Sequence, residues 1–189
     1  MTTLKIPVRP EDHIQGPANA PATLVEYGDY ECPYCRAANP VVKRLQKHFG
    51  DRLRFVFRNF PLTQMHPQAE PATETAEFAA THQKFWEMHD LLYKNQDSLG
   101  RPLYEELAAT LKLPAKGLLL ALETHEFIPR IQADFAGGVR SGVNGTPTFF
   151  LNNQRFDVAH EYDLLRVAIE DAIAHPPPRA AKVYSRGQA

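Results

Sequence analysis

The apolar positions of the chain change period as it runs, and each change predicts an element. "ATLVEYGDY", residues 22–30, is apolar and β-branched and predicts a buried strand over Thr23 to Tyr27. A helix is expected next, from Pro33 to about Phe49. Pro33 suits the first helical position, where its missing N–H is not needed, and Gly50 suits the end. "RLRFVFRNF" then alternates and predicts a second strand, Leu53 to Arg58, closed by Pro61. From Gln68 to about Gly138 strand signals vanish. Phe78, His82, Phe85, His89 and Leu92 recur at steps of four and three, as one helical stripe would. Shorter helices follow, with breaks expected at Pro114, over Glu123 to Glu126 and at Gly137-Gly138. "TPTFFLNNQRFD" returns to strand character. Thr148 to Leu151 should pair with Arg155-Phe156 across an Asn153-Gln154 turn. A closing helix carries Tyr162, Leu165, Ile169 and Ile173 on one face.

This order predicts an α/β architecture interrupted by helices. Residues 1–17 read as an N-terminal loop segment. Residues 18–62 and 139–175 form a discontinuous sheet-bearing domain, 63–138 a helical insertion, and 176–189 a disordered tail. Pro40 falls inside the first helix and should kink it.

Composition narrows the function classes. The chain has 189 residues, 43% hydrophobic, enough for one well-buried core. Its formal net charge is −1 with no long basic run, which argues against nucleic-acid and anionic-membrane partners. No apolar run reaches the roughly 18 residues of a membrane span. "MTTLKIPVRPEDHIQGPANAP" lacks the apolar core of a secretory signal, so a cytoplasmic location is expected.

The only two cysteines lie in "YECPYC", as Cys32 and Cys35. One pair is no structural disulfide framework. At a helix start, unpaired N–H groups and the dipole favour an anion, which lowers the pKa of Cys32 and makes it the nucleophile. Cys35, one turn deeper, is placed to resolve a mixed disulfide. Pro33 should stiffen the ring, Tyr34 fill it, and Arg36 add positive charge. The competing reading is half of a zinc site, but no second C-x-x-C pair and no nearby His accompany the motif.

"VEYGDYECPYC", "FRNFPL", the helical block and "GVNGTPTFFLN" together resemble the DsbA-like branch of the thioredoxin superfamily, over about residues 12 to 174. The resemblance implies a thioredoxin-like fold with an inserted all-helical domain. It also implies Cys32 as nucleophile, Cys35 as resolving thiol, and a cis Thr146-Pro147 loop facing the cysteines and pairing with extended substrate. Pro33 and Tyr34 would share in substrate contact. The family's oxidase prototype carries His between its cysteines. This chain carries Tyr34 there, which predicts a less oxidising protein.

Glu26 lies six residues before Cys32, within the first strand. Related proteins bury an acid at the matching position, where it would accept the Cys35 proton. The alternative is an outward-pointing or Lys-paired carboxylate. Asp29 and Glu31 are expected on an exposed turn, opposing the thiolate. His82 and His89, about 10 Å apart along a helix, are expected as surface or interdomain residues. His66 reads as a cap or surface residue and Trp86 as core.

The resulting expectation is thiol–disulfide exchange with protein or low-molecular-weight disulfides. No metal or organic cofactor is expected, glutathione is a candidate co-substrate, and a separate redox partner would recycle the dithiol. The alternatives are a kappa-class glutathione transferase, a non-catalytic peptide-binding module and a metal-binding module.

Overall fold

In the computed structural model, residues 2–157 and 161–175 are described; the tail expectation over 176–189 lies outside them. The chain runs β1 (His13–Gln15), β2 (Ala22–Gly28), α1 (Pro33–Phe49), β3 (Leu53–Asn59), α2 (Ala69–Thr81), α3 (Phe85–Lys94), α4 (Arg101–Thr110), α5 (Ala115–Thr124), α6 (Ile128–Arg140), β4 (Thr148–Leu151), β5 (Gln154–Phe156) and α7 (Tyr162–Ala174). The five strands form one mixed sheet in the order β1-β3-β2-β4-β5. Only β2 and β3 are parallel, as a strand–helix–strand crossover through α1 requires. Among the described residues no helix is long and apolar enough to cross a membrane.

Strand alternation sends residues to two packed faces. Leu24, Phe55, Phe57, Phe149 and Leu151 join Cys32, Cys35, Ala38, Val42 and Leu45 of α1 and its N-cap in one core. Val25, Tyr27, Val56 and Phe150 join Phe60 and Val143 in a second, smaller one. Glu26 is two residues from Leu24, so the same alternation points it to the face that carries α1.

The N-terminal segment is not all loop. His13–Gln15 pair antiparallel with β3, and Arg58 ties the preceding residues down. Its guanidinium is 2% exposed and donates to both carboxylate oxygens of Asp12, at 3.1 and 2.8 Å, to the Ile6 and Pro7 carbonyls, and to the Tyr27 hydroxyl. A buried guanidinium is tolerable only when its donors are so matched.

The stripe from Phe78 to Leu92 is two helices rather than one. Gln83 adopts a left-handed φ of 60°, and the Lys84 N–H returns to the Ala79 carbonyl at 2.8 Å, which closes α2 and turns the chain. His82 is left exposed, while His89 is buried with its Nδ1 3.0 Å from the Tyr30 hydroxyl. Burial lowers the pKa of His89 to about 3, so it is neutral. The hairpin turn is Asn152-Asn153, with φ of 45° and 71°, and Gln154 pairs with Leu151.

Gly137-Gly138 do not end α6, which continues to Arg140. They let the helix lie against the second face of the sheet. A Cβ on Gly138 would come 2.7 Å from the Phe60 ring and 3.0 Å from that of Tyr27. Both neighbours are core rings, so Gly138→Ala is expected to lower stability by about 1–3 kcal/mol, read by urea unfolding. An unchanged midpoint would mean the helix can slide to make room.

Candidate active site

The site follows the C-terminal end of β2, the central strand, and α1 begins where β2's following loop ends. Cys32 is the N-cap of α1, with φ −72° and ψ 120°, and Pro33 is its first residue. Both cysteines are free thiols; Cys32 is 3% exposed and Cys35 fully buried. Cys32 Sγ lies 3.3 Å from the Thr146 carbonyl, and the Thr146–Pro147 peptide is cis. The two ends of the sheet-forming chain, 114 residues apart in sequence, thus meet at one sulfur.

The two thiols are driven apart in acidity. Cys32 is lowered to about 5, chiefly by the hydrogen bond from Cys35, then by the Thr146 side chain and the backbone N–H groups of Cys35 and Tyr34, against the cost of burial. Cys35 is raised well above its ordinary value by burial, by its bond to Cys32 and by the charge of Glu26. The Asp29 N–H donates to Cys35 Sγ at 3.4 Å. No other group partners the buried Thr146 hydroxyl, which leaves it to the Cys32 sulfur.

Glu26 is 2% exposed, and its Oε1 is buried without a hydrogen-bond partner. Burial first, and the Cys32 charge second, raise its pKa to about 8. The outward or Lys-paired alternative is thereby removed.

Three expectations about neighbours are corrected. Tyr34 does not fill the ring between the cysteines: it is 72% exposed and projects outward, near the exposed Pro33. Arg36 is not a free charge beside the cysteines but is paired with Asp97 at 2.7 Å. Asp29 is not on an exposed turn but fully buried. Its Oδ1 accepts from the Glu31 N–H at 2.8 Å; its Oδ2 accepts from the Leu62 N–H at 2.9 Å and from His66 Nδ1 at 2.8 Å. Glu31 is half-buried, and its carboxylate accepts from the Gln68 N–H. These two acids fasten the loop before Cys32 to the segment between β3 and α2. Trp86 is half-buried, its ring against Phe55 and Phe85.

Sequence reasoning missed Gln96. Its amide donates to the carbonyls of Tyr30 and Cys32, at 2.7 and 3.0 Å, and so holds the cysteine loop from the helical segment. No local pattern marks a glutamine 64 residues away for this role. Among the described residues, one group has metal-ligand spacing, Glu70, Glu74 and His125; it includes neither cysteine.

The thioredoxin family model matches residues 9–171. A Na(+)/H(+) antiporter NhaA 1 of Salinispora arenicola is 42% identical over 172 residues, 90% of this chain and 26% of that protein. A Na(+)/H(+) antiporter NhaA of Herminiimonas arsenicoxydans is 38% identical over 168 residues, 88% of this chain and 27% of that protein. The chain therefore spans about a quarter of the length of the curated relatives it matches. Among solved structures, BdbD of Bacillus subtilis in its oxidised form superposes with a TM-score of 0.79 at 25% identity, covering 86% of this chain and 93% of that one. A thioredoxin-like oxidoreductase from Silicibacter pomeroyi gives 0.74 at 25% identity, covering 87% and 93%. α-DsbA1 of Wolbachia pipientis gives 0.78 at 18% identity, covering 90% and 94%, a likeness of fold. With the family match running through both halves of the sheet and the C-x-x-C pair at the start of α1, the chain belongs to the thioredoxin family and has the fold of its DsbA-type members.

Proposed function

We propose that the protein is a thiol–disulfide oxidoreductase that works through Cys32 and Cys35. The observation that carries this reading is the split between two adjacent thiols, one lowered to about 5 and the other raised. At neutral pH Cys32 is a thiolate, the species that attacks disulfides. It attacks one sulfur of a substrate disulfide, forms a Cys32–substrate bond, and expels the other substrate sulfur as a thiolate. Cys35 then loses its proton to Glu26 and attacks Cys32 Sγ. The first substrate sulfur leaves as a thiolate, and a Cys32–Cys35 disulfide remains. The substrate has gained two electrons and the protein has lost them. The reverse sequence oxidises a dithiol.

The pKa of Glu26 near 8 belongs to the reduced protein, where the Cys32 thiolate helps to raise it; in the mixed disulfide that charge is gone, the pKa falls, and the carboxylate can take the Cys35 proton. Thr146 and Pro147 border the reacting sulfur, and Pro33 and Tyr34 offer an exposed apolar rim. Protein disulfides and glutathione are the substrates this surface would admit. No organic cofactor is needed, since the dithiol carries the electrons.

Equilibration of the dithiol with glutathione buffers, read by thiol alkylation and intact mass, tests the reading. A Cys32 pKa near 5 lies between those of thioredoxin and the DsbA oxidase, so a potential between about −270 and −120 mV is expected. A protein with no reversible two-electron transition would not be an oxidoreductase.

The antiporter relatives favour a second reading, which concerns the partner. A 42% identical segment is joined in one polypeptide to the rest of a Na(+)/H(+) antiporter. On this reading the dithiol exchanges electrons with cysteines of such a transporter. A Cys35→Ala trap presented to antiporter-containing membranes should then yield a mixed disulfide with the antiporter, identified by mass spectrometry; its absence would remove this partner and leave the chemistry standing.

A further inference from the structure

The cysteine loop carries no cation of its own. Tyr34, between the cysteines, is uncharged and faces solvent, and Arg36 is committed to Asp97. Two acids, Asp29 and Glu31, stand in the same loop. Left alone, these charges would disfavour a thiolate at Cys32. Asp29 is the most consequential, since it is fully buried and unscreened by water, and its backbone contacts both cysteines: the Cys32 N–H donates to its carbonyl at 3.2 Å, and its own N–H donates to Cys35 Sγ at 3.4 Å.

The cation that answers it comes from another part of the chain. His66, in the segment between β3 and α2, donates from Nδ1 to Asp29 Oδ2 at 2.8 Å. The pair is 37 residues apart in sequence, with His66 at the half-open side and Asp29 inside. The same oxygen accepts from the Leu62 N–H, so the whole 62–66 turn is pinned against the cysteine loop. Burial opposes a charge on His66, yet the Asp29 bond and charge outweigh it, with Cys32 and Glu31 adding in the same direction, and its pKa is raised.

We propose that His66 is a positioning residue for the exchange reaction: as an imidazolium bound to Asp29, it neutralises the buried acid under the cysteine loop and keeps Cys32 in its thiolate form. The charged groups set around it are Asp29, Glu31 and Cys32, all on the loop after β2. Linkage between His66 and Cys32 runs both ways, so the thiolate also holds the proton on His66. The proposal rests on the thiol–disulfide reading above.

The test is the Cys32 titration, followed by thiolate absorbance near 240 nm in the reduced protein, for the unmodified chain and for His66→Gln. Gln can still donate to Asp29 but cannot carry charge. The expected result is an upward shift of the Cys32 midpoint by about one pH unit. The dithiol–disulfide equilibrium should move towards the disulfide by up to about tenfold, a potential lower by ~30 mV. His66→Gln/Asp29→Asn removes both charges together and should bring the midpoint back. A midpoint and potential unchanged in His66→Gln, whatever its melting temperature, would overturn the proposal and leave His66 as a loop clamp. If His66→Gln fails to fold, His66→Asn is measured in its place under the same criteria. A protein that shows no redox transition in any variant would instead defeat the oxidoreductase reading.

Discussion

Cys35→Ala is expected to stop the protein as a mixed disulfide through Cys32, and Cys32→Ser is expected to abolish exchange altogether. The asymmetry follows from the site. Cys32 holds the lowered pKa, sits at the N-cap of α1 and reaches the Thr146 carbonyl at 3.3 Å. Cys35 is fully buried and high in pKa, so substrate sulfur meets Cys32 first. Without Cys35 the first bond still forms, but nothing inside the protein can break it. Incubated with oxidised glutathione, Cys35→Ala should therefore gain one glutathionyl mass and hold it, whereas Cys32→Ser should gain none. Turnover of a disulfide substrate should fall to the uncatalysed level in both variants. Multiple turnovers by Cys32→Ser would show that the roles are wrongly assigned. The substitution itself is mild in packing terms, since each replaces a small side chain by one of similar size.

Glu26→Gln should stabilise the protein, and increasingly so as pH rises. In the folded state Glu26 holds its proton up to about pH 8, against 4.5 for an unperturbed carboxyl. Between those values the folded chain binds more protons than the unfolded one, so folding stability falls as pH rises through the window. A shift of this size corresponds to at most about 5 kcal/mol of lost stability at pH 8 and above, and to none below pH 4. Gln removes the ionisation and keeps the shape. Urea unfolding at pH 4, 6 and 8 should show the two proteins converging at pH 4 and parting towards pH 8. In the disulfide form the Cys32 charge is gone and burial alone acts, so the gap narrows there without closing. The gain in stability is expected to cost function: removing the proton acceptor should slow attack by Cys35 about 100-fold, seen as accumulation of the mixed disulfide. A stability difference that does not vary with pH would show that the Glu26 carboxyl is not held protonated by the fold.

The same residues show why part of the site was legible early. β2, α1, β3, the β4–β5 hairpin and α7 are each written in local periodicity and in Pro and Gly punctuation, and each formed within a residue or two of its expected place. The C-x-x-C pair at the start of α1 follows from those local signals, because a helix start is itself a local event. Gly137-Gly138 misled for a physical reason. A glycine pair weakens a helix in isolation, but here the missing side chains are what lets α6 touch Phe60 and Tyr27, so packing outweighs propensity. The stripe through His82 failed at a single residue, Gln83, whose left-handed backbone no composition rule marks.

What the sequence by itself determined is the run of β2, α1 and β3 and the C-x-x-C pair at the start of α1, since both depend on residues within a few positions of one another. The tertiary structure alone decided the environment that makes the sulfurs unequal. It buried Asp29, brought His66 to it across 37 residues, set Gln96 on the Cys32 carbonyl from 64 residues away, and closed the Thr146 carbonyl onto Cys32 across 114. Contacts at such separations are specified by how sheet and helices pack, and a single polar residue that makes one of them leaves no periodic trace in the chain.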